Sequence, residues 1–418
     1  MKKLGLFIIL INWMSVLEIN SQNTANRLFE SHIKYAEVGL SKRRFSHSDI
    51  QPLINKYKGK TGFTVSKIGE SVEGRSINQI EIGTGPIKVL LWSQMHGNEA
   101  TATMAIFDIF KFFEEKGEFE NFKNEILENS TLYFIPMLNP DGAEKFIRRN
   151  ALGIDLNRDA LRLQSLEALL LKKLQNELQP DFGFNLHDQS PRYAVGNTGK
   201  QATMAFLATA YNEAREINPI RKRSMQLIVG MNRVLQHFIP NQVARFSDEF
   251  EPRAFGDNIQ KWGTTLILVE SGGYGADTEK QFIRKLNFVS ILISLSSIAT
   301  KAYETENIEE YNLIPENTKS LFDLLIRNVN VSWGGKKIKM DIGINKEEVA
   351  SNSIKKFAVK SNIEDLGDLS TFFGIEEIDV NGMDFFSEKP LNLDQKADFK
   401  ILKEGKVFFT VKNGSIIK

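Results

Sequence analysis

The stretch Val89-Leu90-Leu91-Trp92-Ser93-Gln94-Met95-His96-Gly97-Asn98-Glu99 decides the fold. Its apolar half predicts a buried strand that ends at about Gln94, and a helical pattern from Ala100 to Phe113 follows. His96 then lies in the loop beyond the carboxyl edge of the strand, where ligands bind in open α/β sheets, and Glu99 opens the helix. One imidazole and one carboxylate are two of the three protein ligands in zinc sites built from two histidines and a glutamate. The stretch therefore predicts half of such a site and requires a second histidine.

The chain contains five histidines, so the search for the second ligand is short. His187 ends the apolar segment 181–189, which predicts another buried strand that carries a polar side chain at its C-terminal end. The other three lie in polar N-terminal sequence or in a helical pattern and are interpreted as surface or packing residues: His32, His47 and His237. We therefore identify His187 as the partner of His96.

Two further apolar runs also end in polar residues. Residues 131–138 precede the turn Asn139-Pro140-Asp141-Gly142, and residues 264–269 precede Glu270. A His-x-x-Glu spacing alone is weak evidence for a metal site, and a histidine at a strand end is commonly structural. Four apolar strands that all finish in reactive side chains favour a functional site over coincidence.

These motifs occur in the order found in one known family. They are the His96-Gly97-Asn98-Glu99 string, the Asn139-Pro140-Asp141-Gly142 turn, Arg148 ahead of Gly153-Ile154-Asp155-Leu156-Asn157-Arg158, and the strand-end residues His187 and Glu270. With them the chain resembles the funnelin family of zinc carboxypeptidases, over roughly Ser46 to Glu304. The resemblance implies an α/β fold with a mixed, mostly parallel sheet flanked by helices, and one bound Zn2+ per chain.

The resemblance also assigns catalytic roles. His96, Glu99 and His187 would hold the zinc ion, whose positive charge lets a bound water lose a proton near neutral pH. Glu270 would be the general base that accepts this proton and passes it to the leaving amine. Arg148 would stabilise the developing oxyanion, and its spacing to Gly153 favours it over the neighbouring arginine.

Substrate-binding and supporting roles follow in the same way. Asn157 and Arg158 match the pair that holds the terminal carboxylate of the substrate, a task that suits the planar fork of a guanidinium. Asp155 matches a carboxylate that hydrogen-bonds the first zinc histidine and fixes its tautomer. Arg149 and Arg253 are further candidates for substrate binding.

The side-chain pocket allows two interpretations. Arg253, Phe255 and Asp257 lie where the family usually places its specificity determinant. Either they recognise the cleaved residue, or Arg253 and Asp257 form a structural ion pair with Phe255 packed beneath them. We weight the two interpretations evenly, because one sequence without homologues does not separate them.

The chain also departs from the family pattern. Many members carry a tyrosine about twenty residues before the base, and residues 245–258 contain none. Tyr193 and Tyr274 are the nearby alternatives, although neither matches the expected position. Asn98 stands where digestive members have an arginine, and the short interval between Glu99 and His187 predicts trimmed loops and a more open cleft.

The N-terminus predicts export. Met1-Lys2-Lys3 is positive, Leu4 to Leu17 is apolar, and Ile19-Asn20-Ser21 suits signal peptidase, so residues 1–21 read as a signal peptide. The apolar stretch is too short for a membrane span, which argues against stable membrane insertion. The sequence has no cysteine and therefore no disulfide and no thiolate ligand. We expect a periplasmic or extracellular protein.

Composition and pattern predict the domain organisation. The 53 Lys and Arg balance the 52 Asp and Glu, so the chain has no bulk attraction to nucleic acid. Its 418 residues exceed what one core usually supports. We expect a catalytic domain at 22–304, a linker at 305–318 and a small all-β domain at 319–418. In this last region apolar and polar residues alternate at 320–331, 337–344, 353–359 and 406–411, and Asn413-Gly414 predicts a hairpin turn.

Three classes of function remain open on sequence alone, and murein stem peptides are a further substrate option within the peptidase class. The leading hypothesis is a secreted zinc metallocarboxypeptidase that hydrolyses the C-terminal bond of peptides, through a zinc-bound water activated by Glu270. The alternatives are a zinc amidohydrolase of the desuccinylase or aspartoacylase type acting on N-acyl amino acids, and a hydrolase of murein stem peptides. A zinc-bound module that only binds peptides is the third class, and retention of Glu270 argues against it, since pure binding needs no base.

Overall fold

The computed structural model describes residues 21–350 and 357–417. These residues form two compact units. The first unit holds the described residues up to Gln189 together with Thr203–Glu316, and the second holds Ser190–Ala202 together with the described residues from Asn317 onward. The predicted signal peptide lies outside the described residues except for Ser21, and residues 21–35 form helix α1.

Strands and helices alternate along the first part of the chain. The strands up to Ser271 are β1 Phe63–Glu70, β2 Ser76–Ile82, β3 Ile87–Ser93, β4 Ser130–Ile135, β5 Phe182–Asp188, β6 Ala194–Val195, β7 Met204–Leu207, β8 Val243–Arg245 and β9 Thr265–Ser271. The helices after α1 are α2 His47–Asn55, α3 Thr101–Glu114, α4 Glu120–Asn129, α5 Pro140–Lys145, α6 Leu166–Leu178, α7 Pro219–Phe238, α8 Phe255–Lys261, α9 Gln281–Thr300 and α10 Glu309–Leu313. Short 3-10 helices occupy Val38–Leu40, Leu156–Arg158 and Ala302–Thr305.

The first unit is built on an eight-stranded sheet with the order β1-β2-β4-β3-β5-β9-β7-β8. The central strands β4, β3, β5 and β9 are parallel to one another, whereas β1 and β2 form an antiparallel edge and β7 runs antiparallel to β9. The predicted fold class, a mixed and mostly parallel sheet flanked by helices, is confirmed.

The central strands are apolar because helices cover both of their faces. Alternate side chains of β5 and β9, such as Phe184 and Ile267, join a core with α3, α7 and α9. The opposite face packs against α6 and α8, with Leu266 of β9 in that second core. Since side chains alternate along a strand, His187 and Glu270 both lie on the face of the second core.

The predicted elements around the site are found with small shifts. The strand before His96 ends at Ser93, and the following helix begins at Thr101. Glu99 therefore lies in the loop just before α3 and does not open the helix as predicted.

A buried charge network fixes α1 on the first unit. His32 Nε2 lies 2.8 Å from Asp108 Oδ2, and Arg284 Nε donates to the same oxygen at 2.7 Å.

The other two histidines lie elsewhere in the first unit. His47 Nε2 lies 2.9 Å from the carbonyl oxygen of Ser76, and His237 is exposed. These contacts confirm the interpretation of the three remaining histidines as packing or surface residues.

Helix α9 is long and apolar. Among the described residues it is the one helix that by length and composition could cross a membrane, and 78% of its apolar window is buried inside the structure. Burial of this extent is typical of the core helix of a globular protein.

The segment predicted as a linker, 305–318, contains α10. Tyr311 in this helix is buried, and the backbone N–H of Ala208 donates to its hydroxyl at 3.1 Å. Most of the segment therefore packs within the first unit, which extends to Glu316.

The second unit is all β. Its later strands are β10 Asn317–Thr318, β11 Leu321–Trp333, β12 Lys336–Ala350, β13 Phe357–Gly367, β14 Phe373–Asp379, β15 Asp384–Phe386, β16 Phe399–Lys403, β17 Lys406–Lys412 and β18 Ser415–Ile417. The main sheet has the order β13-β12-β11-β15-β16-β17-β18, β14 pairs with β11, and β6 pairs with β10. The C-terminal β region is thus confirmed, and part of its predicted strand at 353–359 lies outside the described residues.

The last hairpin illustrates why the C-terminal prediction succeeds. Asn413 and Gly414 have φ angles of 47° and 72°, the left-handed values that a two-residue type I′ turn requires. Asn and Gly tolerate these angles at little cost, so the sequence specifies both the turn and the pairing of β17 with β18.

Candidate functional site

Three predicted metal ligands converge in the first unit. The candidate ligand atoms of His96, Glu99 and His187 all lie within 4.8 Å of one another, and the three residues are buried. Nδ1 of His96 is 2.8 Å from Oε1 of Glu99, and Nδ1 of His187 is 2.7 Å from Oε2. Each carboxylate oxygen therefore faces one imidazole, and the three groups point to a common centre.

The loop that carries His96 is held by its own sequence. Gln94 adopts a left-handed φ of 46° and donates from Nε2 to the carbonyl oxygen of Gly97 at 2.9 Å, which turns the chain directly after β3. A Cβ atom on Gly97 would lie 2.0 Å from the backbone of Gly142, so only glycine fits this close approach. Asn139 donates to the carbonyl oxygen of Met95 at 3.2 Å, and its turn supports the loop.

The second ring nitrogen of His96 is held by Asp155. Nε2 of His96 lies 3.1 Å from Oδ1 of Asp155, and Nε of Arg148 donates to Oδ2 of the same carboxylate at 2.9 Å. A carboxylate on one imidazole nitrogen fixes the orientation of the ring and leaves the other nitrogen for a metal. Asp155 occupies the position that the resemblance implies.

The charges at the centre favour a cation. Burial opposes ionisation of Glu99, but the imidazoles of His96 and His187 outweigh burial and lower the pKa of Glu99. Burial lowers the pKa of His187, which keeps this ring in the neutral form that binds metals. Two imidazole nitrogens and one carboxylate match the protein ligands of a catalytic zinc site, so these residues fit the ion.

Glu270 lies beside the second histidine. His187 and Glu270 are register partners on the parallel strands β5 and β9. Burial raises the pKa of Glu270 well above its ordinary value, and the carboxylates of Glu99 and Asp188 add to this shift. Within the described residues, Oε2 of Glu270 is shielded from solvent and has no hydrogen-bond partner. A carboxyl group with a raised pKa beside a metal centre is suited to proton transfer near neutral pH.

The two neighbouring arginines differ in their contacts. Nη1 of Arg148 lies 3.1 Å from Nδ1 of His96 and 3.5 Å from Oε1 of Glu99. Arg149 is exposed and donates from Nη1 to the carbonyl oxygen of Gly153 at 3.0 Å. Arg148 is therefore the arginine that reaches the metal ligands.

Asn157 and Arg158 lie on the 3-10 helix that follows Asp155. The Asn157 side-chain oxygen accepts from the backbone N–H of Phe255 at 2.9 Å, so Asn157 connects this helix to α8. Nη1 of Arg158 donates to the carbonyl oxygen of Asn157 at 2.7 Å, and its Nε lies 3.2 Å from Oε2 of Glu251.

Glu251 also holds Arg253. Nε and Nη2 of Arg253 donate to the two oxygens of Glu251 at 3.0 and 2.9 Å. The predicted alternative of an Arg253–Asp257 ion pair is therefore wrong, because an acid two residues away in sequence takes the guanidinium instead. Phe255 is fully buried, as that alternative expected, and burial raises the pKa of Asp257 to about 7.

A family model matches part of the first unit. Residues 53–182 match the model described as zinc carboxypeptidase. This match covers 130 of the 418 residues. The matched residues include His96, Glu99, Arg148 and the 3-10 helix with Asn157, and they end at the first residue of β5. His187 and Glu270 lie beyond them.

Two curated relatives match shorter regions. The chain is 32% identical over 126 residues to carboxypeptidase E of Caenorhabditis elegans. This aligned region covers 25% of this chain and 26% of that protein. It is 24% identical over 139 residues to an uncharacterized protein of Zymomonas mobilis. That aligned region covers 32% of this chain and 36% of the Zymomonas protein. The matched region thus spans about a quarter to a third of the length of these relatives.

Solved carboxypeptidase structures are similar at low identity. Bovine thrombin-activatable fibrinolysis inhibitor matches with a TM-score of 0.49 and 14% identity, covering 64% of this chain and 99% of that chain. Carboxypeptidase A of Helicoverpa armigera matches with a TM-score of 0.49 and 15% identity, covering 67% and 80%.

Of the two tyrosines considered as replacements, Tyr274 packs into the core of the first unit. The ring of Tyr274 stacks on Phe282 at 4.3 Å between centroids and packs against the first core of the first unit. Tyr193 belongs to the second unit.

Sequence reasoning missed two groups near the centre. Glu251 holds two of the arginines predicted to bind substrate, and its spacing of two residues from Arg253 was the available signal. Lys280 pairs with Asp188 next to His187, and its distance along the chain left no signal for this contact.

Proposed function

We propose that this protein is a zinc-dependent metallocarboxypeptidase that removes a C-terminal residue from peptides. The observation that carries the proposal is the convergence of His96, Glu99 and His187, with Glu270 in register beside His187. The family match over residues 53–182 supports the same reaction class.

Zinc held by His96, Glu99 and His187 would lower the pKa of a coordinated water towards neutrality. Glu270, on the strand beside His187, would accept a proton from the attacking water and deliver it to the nitrogen of the departing residue. The burial that raises the pKa of Glu270 supports this exchange, because it makes the carboxylate a stronger base than an exposed glutamate.

The arginines provide the substrate contacts. Arg148 is exposed and adjacent to His96 and Glu99, so its guanidinium is available to the carbonyl oxygen as negative charge develops there. Arg158 is also exposed on one side, and its planar fork suits the terminal carboxylate of a peptide. An exopeptidase needs this second cation, because it must select the end of the chain.

The decisive experiment is mass spectrometry of a mixed peptide library incubated with the full-length purified protein, with and without a zinc chelator. We expect chelator-sensitive loss of single C-terminal residues from free-acid peptides and no loss from C-terminal amides. Arg158→Ala is expected to raise KM for free-acid peptides and to leave any activity on amides unchanged.

Different outcomes would support other substrates. A protein that carries stoichiometric zinc but cleaves no library peptide would refute the peptidase. Turnover of N-acyl amino acids or of murein stem peptides by that protein would then identify the amidohydrolase or the murein hydrolase.

We also propose that the protein is exported. The positive N-terminus and the apolar stretch Leu4 to Leu17 support a cleaved signal peptide. Ala25 and Leu28 of α1 are fully buried in the first unit, so a mature chain starting near Gln22 keeps the residues that this unit packs. N-terminal sequencing of protein recovered from periplasm or medium tests this, and an intact Met1 on that protein would contradict cleavage.

A further inference from the structure

A buried ion pair lies immediately behind the metal centre. Nζ of Lys280 is 3.1 Å from Oδ2 of Asp188, and the two side chains are 11% and 8% exposed. The same ammonium donates to the carbonyl oxygen of Ser271 at 3.0 Å. Oγ1 of Thr101 donates to Oδ2 of Asp188 at 2.6 Å. One carboxylate and one ammonium therefore link three separate segments of the chain.

Each of these segments carries a group of the centre. Asp188 directly follows His187, Ser271 directly follows Glu270, and Thr101 comes two residues after Glu99. The pair thus connects the end of β5, the end of β9 and the start of α3. Glu99 and His187, two of the three predicted zinc ligands, and Glu270, the predicted base, therefore each lie one or two residues along the chain from a member of this network.

The pair lies on the far side of the sheet from the reaction. Side chains alternate along a strand, so Asp188 and Ser271 face away from His187 and Glu270. On that far side Nδ2 of Asn287, in α9, donates to the hydroxyl of Ser271 at 2.8 Å. Lys280 and Asp188 therefore do not face the substrate. They act on the centre through the backbone and through the electrostatic effect of their charges on Glu270.

A buried ion pair is weak evidence for a gain in stability, because desolvation of both charges offsets their attraction. The Lys280–Asp188 ion pair therefore matters for the geometry of the site rather than for its stability. An ammonium that must satisfy both Asp188 and the Ser271 carbonyl fixes the distance between the ends of β5 and β9. The backbone of Lys280 has a φ of 51°, an uncommon conformation for a residue with a side chain.

We propose that Lys280 and Asp188 are positioning residues that set the spacing of Glu99, His187 and Glu270 for zinc binding and turnover. This inference rests on the proposed zinc centre. It adds an ion pair that holds the ends of β5 and β9 and the start of α3, which carry the ligands and the base, in one arrangement.

The test measures zinc affinity and catalysis separately in the full-length protein. For Lys280→Met and Asp188→Asn we expect zinc affinity, from competition with a chromogenic chelator, to fall about 10- to 100-fold, the range seen when groups behind metal ligands are removed. At saturating zinc, kcat should fall while KM changes little, because substrate contacts remain intact. Lys280→Arg should recover most of the affinity, since a guanidinium also pairs with Asp188.

A matched control comes from another buried lysine of the first unit. Lys123, on α4, is 3% exposed, donates to the carbonyl oxygen of Glu115 and pairs with Glu120 at 3.2 Å. Lys123→Met should cost comparable thermal stability and leave zinc affinity unchanged. In the double variant Lys280→Met/Asp188→Asn the loss of zinc binding free energy should be smaller than the sum of the two single losses, because both changes break the Lys280–Asp188 ion pair.

Two results would overturn the proposal. One is unchanged zinc affinity in Lys280→Met or Asp188→Asn. The other is an equal loss in Lys123→Met at the same melting temperature, which would make the pair an ordinary stabilising contact. Zinc affinity is measured without substrate, so a protein that binds zinc but cleaves no peptide would refute the proposed peptidase and still decide the role of Lys280.

Discussion

His187 and Glu270 are register partners on adjacent parallel strands. Neighbouring strands lie about 4.8 Å apart, so this pairing sets the predicted base beside the predicted second zinc ligand. Helix α7 and the strands β7 and β8 lie between the two residues in sequence, and the sheet brings the residues together. The arrangement lets each role be tested by a single substitution.

Glu270→Gln should retain zinc and peptide binding and lose turnover. The amide has nearly the shape of the carboxyl group but cannot accept a proton, and general-base catalysis is typically worth about 10²- to 10⁴-fold in rate. The measurement is kcat together with zinc content by elemental analysis. Activity near the wild-type level with full zinc would exclude Glu270 as the base.

His187→Ala should abolish stoichiometric zinc binding, because two ligands remain where a catalytic site needs three. His237→Ala is the matched control, since His237 is exposed on α7 and distant from the centre in sequence. Zinc titration of both purified variants decides the assignment. An unchanged zinc stoichiometry in His187→Ala would remove His187 from the ligand set.

Glu251→Gln should lower KM for free-acid peptides about two- to fivefold. The Glu251 carboxylate lies 3.2 Å from Nε of Arg158 and therefore competes with the substrate carboxylate for this guanidinium. Partly exposed ion pairs are worth up to about 1 kcal/mol, which bounds the gain. Steady-state kinetics on a free-acid peptide measures it, and an unchanged or raised KM would show that Glu251 does not compete at Arg158.

Asp257→Asn should remove a pH dependence of stability. Burial raises the pKa of Asp257 from 3.8 to about 7, so the folded state holds a proton that the unfolded state has lost. The wild-type free energy of unfolding should therefore fall as pH rises from about 4 to 7, by about 2 to 3 kcal/mol between pH 5 and 8, at 1.36 kcal/mol per pKa unit.

Urea unfolding of wild type and Asp257→Asn at pH 5 and pH 8 checks this sign. The free energy of unfolding of the variant relative to the wild type should be higher at pH 8 than at pH 5, because the amide of the variant is neutral at both pH values. A difference between the two proteins that stays constant with pH would show that Asp257 ionises normally.

Much of the fold was predictable because its signals are local. Continuous apolar runs marked β3, β4, β5 and β9, since strands covered on both faces lose polar positions. Alternation marked the C-terminal strands, and Asn413-Gly414 marked a turn that few other residue pairs form without strain. The spacing of His96 and Glu99 placed two candidate ligands in the loop after β3.

What the sequence determined by itself was which residues reach the edge of the sheet, because strand periodicity and turn chemistry act over a few neighbouring positions. Only the tertiary structure decided which of them meet. In the folded chain Arg253 pairs with Glu251 rather than with Asp257, and Lys280 pairs with Asp188. Tyr311, in the segment predicted as a linker, is buried. Such contacts depend on competition among groups that chain folding brings close from distant positions, and the partner that each charge selects is set by distance and burial in the folded state.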